Sequence, residues 1–318
     1  MQRIVIAAIA AILVSFGAAH AQPVGLGTSP QGTLTYQLGA AVAKTLTDAA
    51  NIQARVQPSS GTGTMIPLVA SGEIDIGFAN TLELYDAFHG VGTFDKRPYP
   101  DLRTMAVIFP IKVGLFVRAD SPIKSIKDMK GKTVAYGFTS QEIIKKEVDA
   151  MLATGGLSAA DVTPVLVPNL IRGVDEFMAG RVDVATFAIG GAKVAEADAS
   201  VGGLRFIPLE ATPAALAALK KEFPTAYFGK VEPAPNLAGV KEPINTMIFD
   251  YTIFSSTKMP AERVKQITGI IANNKDLLAQ GQPLFKGMQI DRMFTDVDVT
   301  YHEGAIAFYR EKGIKEVK

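Results

Sequence analysis

Short apolar runs alternate along the chain with longer stretches in which apolar residues recur at helical spacing. The short runs predict strands, and the amphipathic stretches predict helices. The predicted strands are residues 74–78, 133–136, 163–167, 182–187 and 204–207. The predicted helices are residues 32–49, 140–153, 170–179, 260–273 and 301–312. This alternation favours an α/β fold with mostly parallel sheets.

One segment of the chain has a second copy further along. Residues 71–79 read Ser-Gly-Glu-Ile-Asp-Ile-Gly-Phe-Ala, and residues 179–188 read Ala-Gly-Arg-Val-Asp-Val-Ala-Thr-Phe-Ala. Each copy predicts a helix end, a glycine in the left-handed C-cap position and a buried strand. Two interpretations stay open: an ordinary helix-to-strand junction used twice, or two lobes of similar construction. With two lobes, we expect the chain to cross between them near residues 111–117 and 246–254.

The first residues have the features of a secretory signal peptide, in the usual order. Arg3 precedes an uninterrupted run of apolar or small residues, 4–19, and Ala19-His20-Ala21 is a small-x-small cleavage site. A membrane span needs about 20 apolar residues, which is more than this run provides. We therefore predict that residues 1–21 are removed and that the mature protein, beginning at Gln22, is periplasmic.

Composition argues against several functional classes. The chain has 32 basic and 31 acidic residues, and loss of Arg3 with the leader leaves 31 of each. Without net charge, the mature chain has no bulk electrostatic attraction to nucleic acid or to an anionic membrane. The sequence contains no cysteine, which excludes disulfides, thiolate metal sites and cysteine nucleophiles.

Motifs for catalysis are weak. His89 and His302 are the histidines that remain after the leader is removed, and their spacing is not that of a zinc-binding pair. No Gly-x-Ser-x-Gly elbow is present. We predict that the chain is not an enzyme and needs neither a cofactor nor a metal. An exported hydrolase using Ser60 or Ser140 is the alternative from another class, although the sequence places no base beside either serine.

Small polar residues cluster where predicted strands lead into helices. The clusters are residues 28–33, 58–64, 80–81, 138–140 and 189–191. Parallel strands end at one edge of a sheet, where helix N-termini present free amides and partial positive charge. Such residues also serve as ordinary N-caps. Because several clusters occur in one chain, we predict that they form a site for a carboxylate or another anion.

Motifs spread over nearly the whole mature chain occur in the order typical of one family of transport proteins. They are Gly27-Thr28-Ser29, Gly32-Thr33, Tyr36, Ser60-Gly61-Thr62-Gly63, and segments 68–78, 100–103, 117–121, 127–132, 302–305 and 309–311. On these motifs the chain resembles the TAXI group of substrate-binding proteins of tripartite ATP-independent periplasmic (TRAP) transporters. It departs from the family pattern at Pro30-Gln31 and in the bulkier loop 136–140.

The resemblance implies a type II periplasmic-binding-protein fold, in which two α/β lobes, each a mostly parallel sheet flanked by helices, close over a ligand. We place lobe 1 at residues 22–112 and 248–318, and lobe 2 at residues 113–247. The implied function is a monomeric receptor that captures a glutamate-like or dicarboxylate metabolite and delivers it to membrane subunits. The binding protein of an ATP-driven importer for a sulfonate or pyrimidine-like ligand stays open as an alternative, as does an added sensory role.

We expect residues from both lobes to hold the ligand. The first-lobe candidates are Thr28, Ser29, Gln31, Gly32, Thr33, Tyr36, Ser60, Gly61, Thr62 and Asn80. The second-lobe candidates are Phe138, Thr139, Ser140, Gly191 and Lys193. Lys112 and Arg172 are further candidates for facing an anion, and Tyr251 for walling the pocket.

Overall fold

A computed structural model describes residues 23–317, and the predicted signal peptide lies outside these residues. The strands are β1 (Val24–Thr28), β2 (Ala54–Pro58), β3 (Ile76–Asn80), β4 (Leu102–Arg118), β5 (Thr133–Gly137), β6 (Thr163–Val167), β7 (Ala185–Ala188), β8 (Leu204–Phe206), β9 (Tyr227–Val231) and β10 (Ile244–Ser256). The helices are α1 (Leu34–Ala50), α2 (Thr62–Ser71), α3 (Thr81–His89), α4 (Glu142–Thr154), α5 (Leu170–Met178), α6 (Ala192–Val201), α7 (Pro213–Glu222), α8 (Ala261–Asn273), α9 (Lys275–Gly281) and α10 (Glu303–Glu311). Each predicted helix and strand has a counterpart, with ends displaced by a few residues.

The main sheet is mixed rather than mostly parallel. Its order is β2-β1-β3-β10-β4-β7, with β8 paired to β4 and β9 paired to β10. Pairing is parallel between β1 and its neighbours β2 and β3, whereas the pairs made by β10 and β4 are antiparallel. A separate parallel pair joins β5 and β6. The expectation of mostly parallel sheets is corrected here, because the two long central strands run in opposite directions.

The long strands β4 and β10 connect the two lobes. The C-terminal part of β10, Tyr251–Phe254, pairs with β3. Its N-terminal part, Ile244–Ile248, pairs with β9. The C-terminal part of β4 likewise pairs with β7 and β8. The β4–β10 register shifts at Tyr251/Thr252 and again at Ile253/Phe254, and such irregularities bend a strand pair. These strands include both segments where the sequence predicts crossings, while the exact lobe boundaries stay a prediction.

The repeated segment makes the same contact in each lobe. Gly72 and Gly180 both adopt positive φ angles, 83° and 72°. Three residues after each glycine, an aspartate accepts a hydrogen bond from the backbone N–H at the start of a strand: Asp75 from Gly25 at 2.7 Å, and Asp183 from Thr133 at 2.9 Å. This equivalence supports the interpretation that the two lobes are of similar construction.

Apolar side chains from the sheets and helices fill both lobes. In the first lobe Leu26, Leu38 and Phe78 are fully buried. In the second, the Phe116 ring packs edge-on against Phe177 and Phe206. Of the helices between residues 23 and 317, none is long and apolar enough to cross a membrane. The packed lobes hold the strand ends and helix starts that face each other across the cleft.

Candidate ligand-binding cleft

A cavity of about 70 Å³ lies between the lobes, beside the crossing strands. Its first-lobe wall consists of Ser29, Thr33, Leu34, Thr35, Thr62, Asn80 and Glu83. Its second-lobe wall consists of Gln141, Ile143, Ile144, Glu147, Leu170, Phe187 and Ala188, and Ile111, Val113, Phe249 and Tyr251 line it from the crossing strands. A space of this size holds several water molecules or a compact organic solute. The lobes are therefore closed around a small enclosed volume.

Three helix N-termini meet at the first-lobe wall. Thr33 is the N-cap of α1 and its hydroxyl accepts a hydrogen bond from the Tyr36 N–H. Asn80 caps α3 in the same way by accepting from the Glu83 N–H. Thr62 is the first residue of α2. Helix starts carry unpaired amides and partial positive charge, so this wall is suited to an electron-rich group.

Glu83 occupies part of this positive region. Its buried carboxyl accepts hydrogen bonds from the Thr62 hydroxyl and from Asn80 Nδ2, the latter at 2.9 Å. Burial is the main cause that raises the pKa of Glu83 to about 7, against the lowering effect of the Thr62 and Asn80 hydrogen bonds. Hydrogen bonds thus hold the Glu83 carboxyl in place, and its pKa lies close to neutral pH.

Glu147 faces the same cavity from the opposite lobe. It is 4% exposed, and no described residue forms a hydrogen bond or an ion pair with its carboxyl in residues 23–317. Burial, followed by the charge of Glu83, raises the pKa of Glu147 well above the ordinary range. The cleft therefore contains one acid bonded to its neighbours and one without a bonded neighbour, and of the residues that the structure describes no lysine or arginine lines this cavity.

A second, more polar cavity of about 260 Å³ adjoins the first. Thr62, Glu83 and Ile143 line both cavities. Between the lobes at this point, a Cβ placed on Gly61 would come within 1.8 Å of the Ser140 carbonyl oxygen. The two chain segments are therefore in direct backbone contact when the cleft is closed.

The structure brings together part of the predicted site. Ser29, Thr33, Thr62 and Asn80 line the enclosed cavity. Ser60, Thr139 and Ser140, again with Thr62, line the adjoining polar cavity. Tyr251 lines the enclosed cavity, as expected of a wall residue. The principle that strand-to-helix turns converge on one edge accounts for these placements.

Several predicted first-lobe residues lie elsewhere. The side chain of Thr28 is buried beneath α1, where it limits the space at Gly39. Gln31 and Gly32 are exposed at the rim, and Gly32 faces Ile171 of the other lobe. Tyr36 is half-buried in the first turn of α1 and does not line the cavity.

Three of the second-lobe residues predicted to hold the ligand do not line the enclosed cavity. Phe138 is fully buried in its own lobe and faces Gly173. Gly191 caps α6 and sits against the Phe187 ring. Lys193 forms ion pairs with Asp175 at 2.9 Å and with Glu196 at 2.7 Å. These contacts leave the three residues inside their own lobe.

The two basic residues named as further candidates do not line the enclosed cavity either. Arg172 pairs with Asp175 and Glu176 on the surface of α5. Lys112 lies in a separate groove with Asn236. The expected basic partners for an anion are therefore absent from the lining of this cavity.

Sequence reasoning missed the acids Glu83 and Glu147, as well as Thr35 and Gln141. Glu83 carried a signal, because Asn80-x-x-Glu83 matches the spacing of a capping box. Gln141 accepts a hydrogen bond from the Leu170 N–H at 2.9 Å, a contact between distant segments that no local pattern reveals. Glu147 lies among charged residues of α4 and is indistinguishable in sequence from a surface glutamate.

An ion pair joins the lobes at the edge of the cleft. Lys146 on α4 contacts Asp86 on α3 at 2.9 Å, and their side chains are 30% and 5% exposed. Opening the lobes would separate these groups into water. The pair therefore favours the closed arrangement.

Replacement of Lys146 by alanine is expected to weaken solute binding about tenfold, because the closed state loses an ion pair that the open state lacks. The affinity is measured by calorimetry with any solute that stabilises the protein. Lys145→Ala is the matched control, since Lys145 pairs with Asp149 on the same helix. Equal affinities for the two variants would contradict a latch between the lobes.

Comparison with known proteins agrees with this architecture. A model of the NMT1-like family matches residues 26–313. The chain is similar to PhnD1 from Prochlorococcus marinus in complex with methylphosphonate, at 10% identity and a TM-score of 0.56, covering 92% of this chain and 98% of that chain. It is also similar to XAC2383 from Xanthomonas citri bound to ATP, at 11% identity and a TM-score of 0.51, covering 92% and 99%.

A third solved structure similar to the chain is a histidine kinase sensor domain with similarity to periplasmic binding proteins. It is 12% identical, with a TM-score of 0.50, and 84% of this chain and 97% of that chain are covered. At these identities the likenesses show the fold alone. The two-lobed periplasmic-binding-protein fold implied by the sequence is confirmed.

Proposed function

Because the chain belongs to the NMT1-like family, we propose that it is an exported solute-binding receptor that closes its lobes over one small metabolite. The observation that carries this proposal is the enclosed cavity between the lobes, lined by three helix starts and by residues of both lobes. A ligand that contacts both walls stabilises the closed arrangement over the open one. Binding and release, with no chemical step, are sufficient for this role.

We further propose that the receptor serves a TRAP-type membrane transporter and captures a small organic acid. The order of motifs along the chain supports the TAXI assignment. The unpaired amides at the start of α1, beside Ser29 and Thr33, support a carboxylate as the group held at the first-lobe wall. Uptake in reconstituted vesicles that requires an ion gradient and no ATP would support this transporter class.

A sulfonate ligand for an ATP-driven importer is less well supported. A sulfonate stays negatively charged at every physiological pH and would lie beside Glu83 and Glu147 with no lysine or arginine in the lining. Both acids would have to stay protonated beside it, because like charges at short distance in a buried site are costly. The lining therefore favours a ligand whose charge can be balanced by the acids present.

The hydrolase alternative lacks a histidine beside either candidate serine among residues 23–317. Ser60 Oγ is 2.9 Å from Thr64 Oγ1. His89 Nε2 lies 3.2 Å from the Asp298 carbonyl oxygen, and His302 is buried beside the Met259 carbonyl oxygen. Neither histidine lies among the residues that line the two cleft cavities. Glu83 and Glu142 share the polar cavity with Ser60 and Ser140, but neither acid forms a hydrogen bond with either serine in the described part of the chain, so no serine there is paired with a base that could activate it.

The proposal is tested by thermal unfolding with a panel of amino acids, keto acids, dicarboxylates, sulfonates and amines. A solute at about 100 times its Kd is expected to raise Tm by roughly 5 °C, because it binds the folded protein alone. Small-angle scattering of the same mixtures checks that the lobes close. A panel without any stabilising solute would count against the receptor function.

A further inference from the structure

The Glu147 carboxyl faces the cavity and makes no hydrogen bond to any side chain or backbone group of residues 23–317. It lines the cavity on the second-lobe side, and its residue is 4% exposed. A carboxyl in a largely buried site needs a hydrogen-bonding partner, which water supplies in a cavity without ligand and a ligand supplies when it displaces that water. By contrast, Thr62 and Asn80 already satisfy Glu83 across the cavity. Glu147 therefore marks the point at which the protein lacks a donor.

We propose that the cleft binds a solute carrying a protonated amine, which Glu147 holds directly, and that the same solute presents a carboxylate to the start of α1. This inference rests on the proposed receptor function and narrows its ligand from organic acids in general to zwitterionic amino acids. The two recognition groups lie on opposite lobes, so one ligand has to contact both to be fully bound.

The rest of the lining indicates an apolar body for this amino acid. Ile111, Val113, Ile143, Ile144, Leu170 and Phe187 surround the cavity, and each of these except Leu170 is among the buried core residues. A second carboxylate directed at these side chains would be desolvated without a partner. An aliphatic side chain gains instead from leaving water.

Closure without such a ligand is opposed by the two acids. Glu83 on α3 and Glu147 on α4 approach each other from opposite lobes, and Tyr251 on β10 is the other titratable group at the cavity wall. Each acid makes ionisation of its neighbour less favourable. An ammonium between them reverses this effect, so it promotes closure and displaces a proton from Glu147.

The test compares each amino acid with the keto acid of the same skeleton, in which a ketone replaces the amine. The probes are leucine with its keto-acid analogue and glutamate with its keto-acid analogue. For the wild-type protein we expect leucine to bind at least about 30-fold more tightly than its analogue, as for other hydrogen bonds to a buried charge. Glu147→Gln is expected to remove most of this preference, and the exposed Glu262→Gln on α8 is the matched control.

The pH dependence supplies a second readout with a defined sign. Binding of an ammonium releases a proton from Glu147, so the affinity for leucine should rise between pH 5 and 8. Binding of a simple anion favours the protonated acid, so its affinity should fall over the same range. The rise should be smaller in Glu147→Gln, where only Glu83 still titrates beside the ligand.

Three outcomes separate the alternatives. Tighter binding of the amino acids, lost in Glu147→Gln, supports the inference. Equal or tighter binding of the keto acids, with affinity that falls as pH rises, overturns it while leaving the receptor function intact. Absence of binding by every solute of the broader panel overturns both.

Discussion

Replacement of Gly61 by alanine is expected to weaken solute binding by roughly 100-fold while both lobes remain folded. Gly61 has φ of 175°, an extended conformation that alanine adopts freely, so the substitution creates no strain within its own lobe. The new methyl group would instead lie 1.8 Å from the Ser140 carbonyl oxygen across the cleft. A backbone atom cannot rotate away, so the lobes have to stay apart.

Gly63→Ala is the matched control for this experiment. Gly63 lies two residues further along α2, and a Cβ there meets no atom within 4 Å. Gly63 lines the adjoining polar cavity and not the enclosed one, so we expect this variant to close and to bind a solute of the enclosed cavity as the wild-type protein does, with a small gain in helix stability. Calorimetry gives the affinities, and scattering shows whether ligand still reduces the radius of gyration. If Gly61→Ala closes and binds normally, the closed arrangement described here is not the ligand-bound one.

The stability of the protein should fall between pH 5 and 8 by roughly 2 to 3 kcal/mol more in the wild type than in Glu83→Gln. Burial raises the pKa of Glu83 from 4.5 to about 7 in the folded chain. The protonated carboxyl is therefore favoured by folding. This contribution is complete below pH 4.5 and is lost as pH rises through about 7.

Urea unfolding of both proteins across this pH range measures the difference. The glutamine does not titrate, so any hydrogen bond it fails to make with Thr62 or Asn80 shifts its stability equally at every pH. His302 also titrates with folding, but it is the same in both proteins and cancels from the comparison. Glu147 does not cancel, because the charge of Glu83 helps to raise its pKa, so the difference between the two proteins includes the coupling of the two acids. Identical pH profiles would mean that Glu83 is solvated in the folded protein.

Much of the fold was accessible from local patterns. Apolar periodicity located five of the strands and five of the helices, and the duplicated glycine-aspartate segment left two related lobes as one of two interpretations. The mixed sheet was not accessible in this way, because strand direction depends on how β4 and β10 pair over a separation of more than a hundred residues.

The site residues also fall into two groups: those that local sequence predicts correctly and those whose position depends on the fold. Ser29, Thr33, Thr62 and Asn80 follow strands directly, so their convergence could be predicted from the geometry of a sheet edge. Phe138 and Lys193 were predicted on the same principle and lie inside the second lobe, since φ of 48° at Phe138 turns the chain and Asp175 and Glu196 hold the lysine. A loop's sequence does not report which way its side chains turn.

The sequence by itself determined the α/β class and the helix starts rich in small polar residues, because each of these depends on residues close together in the chain. Only the tertiary structure decided that Glu147 faces Glu83 in the closed cleft and that no basic side chain lines the same cavity. These features depend on burial and on the distance between segments of opposite lobes. Burial and distance are both set when the lobes pack. The sequence therefore predicted an anionic ligand, whereas the packed cleft favours a ligand that also carries a positive group.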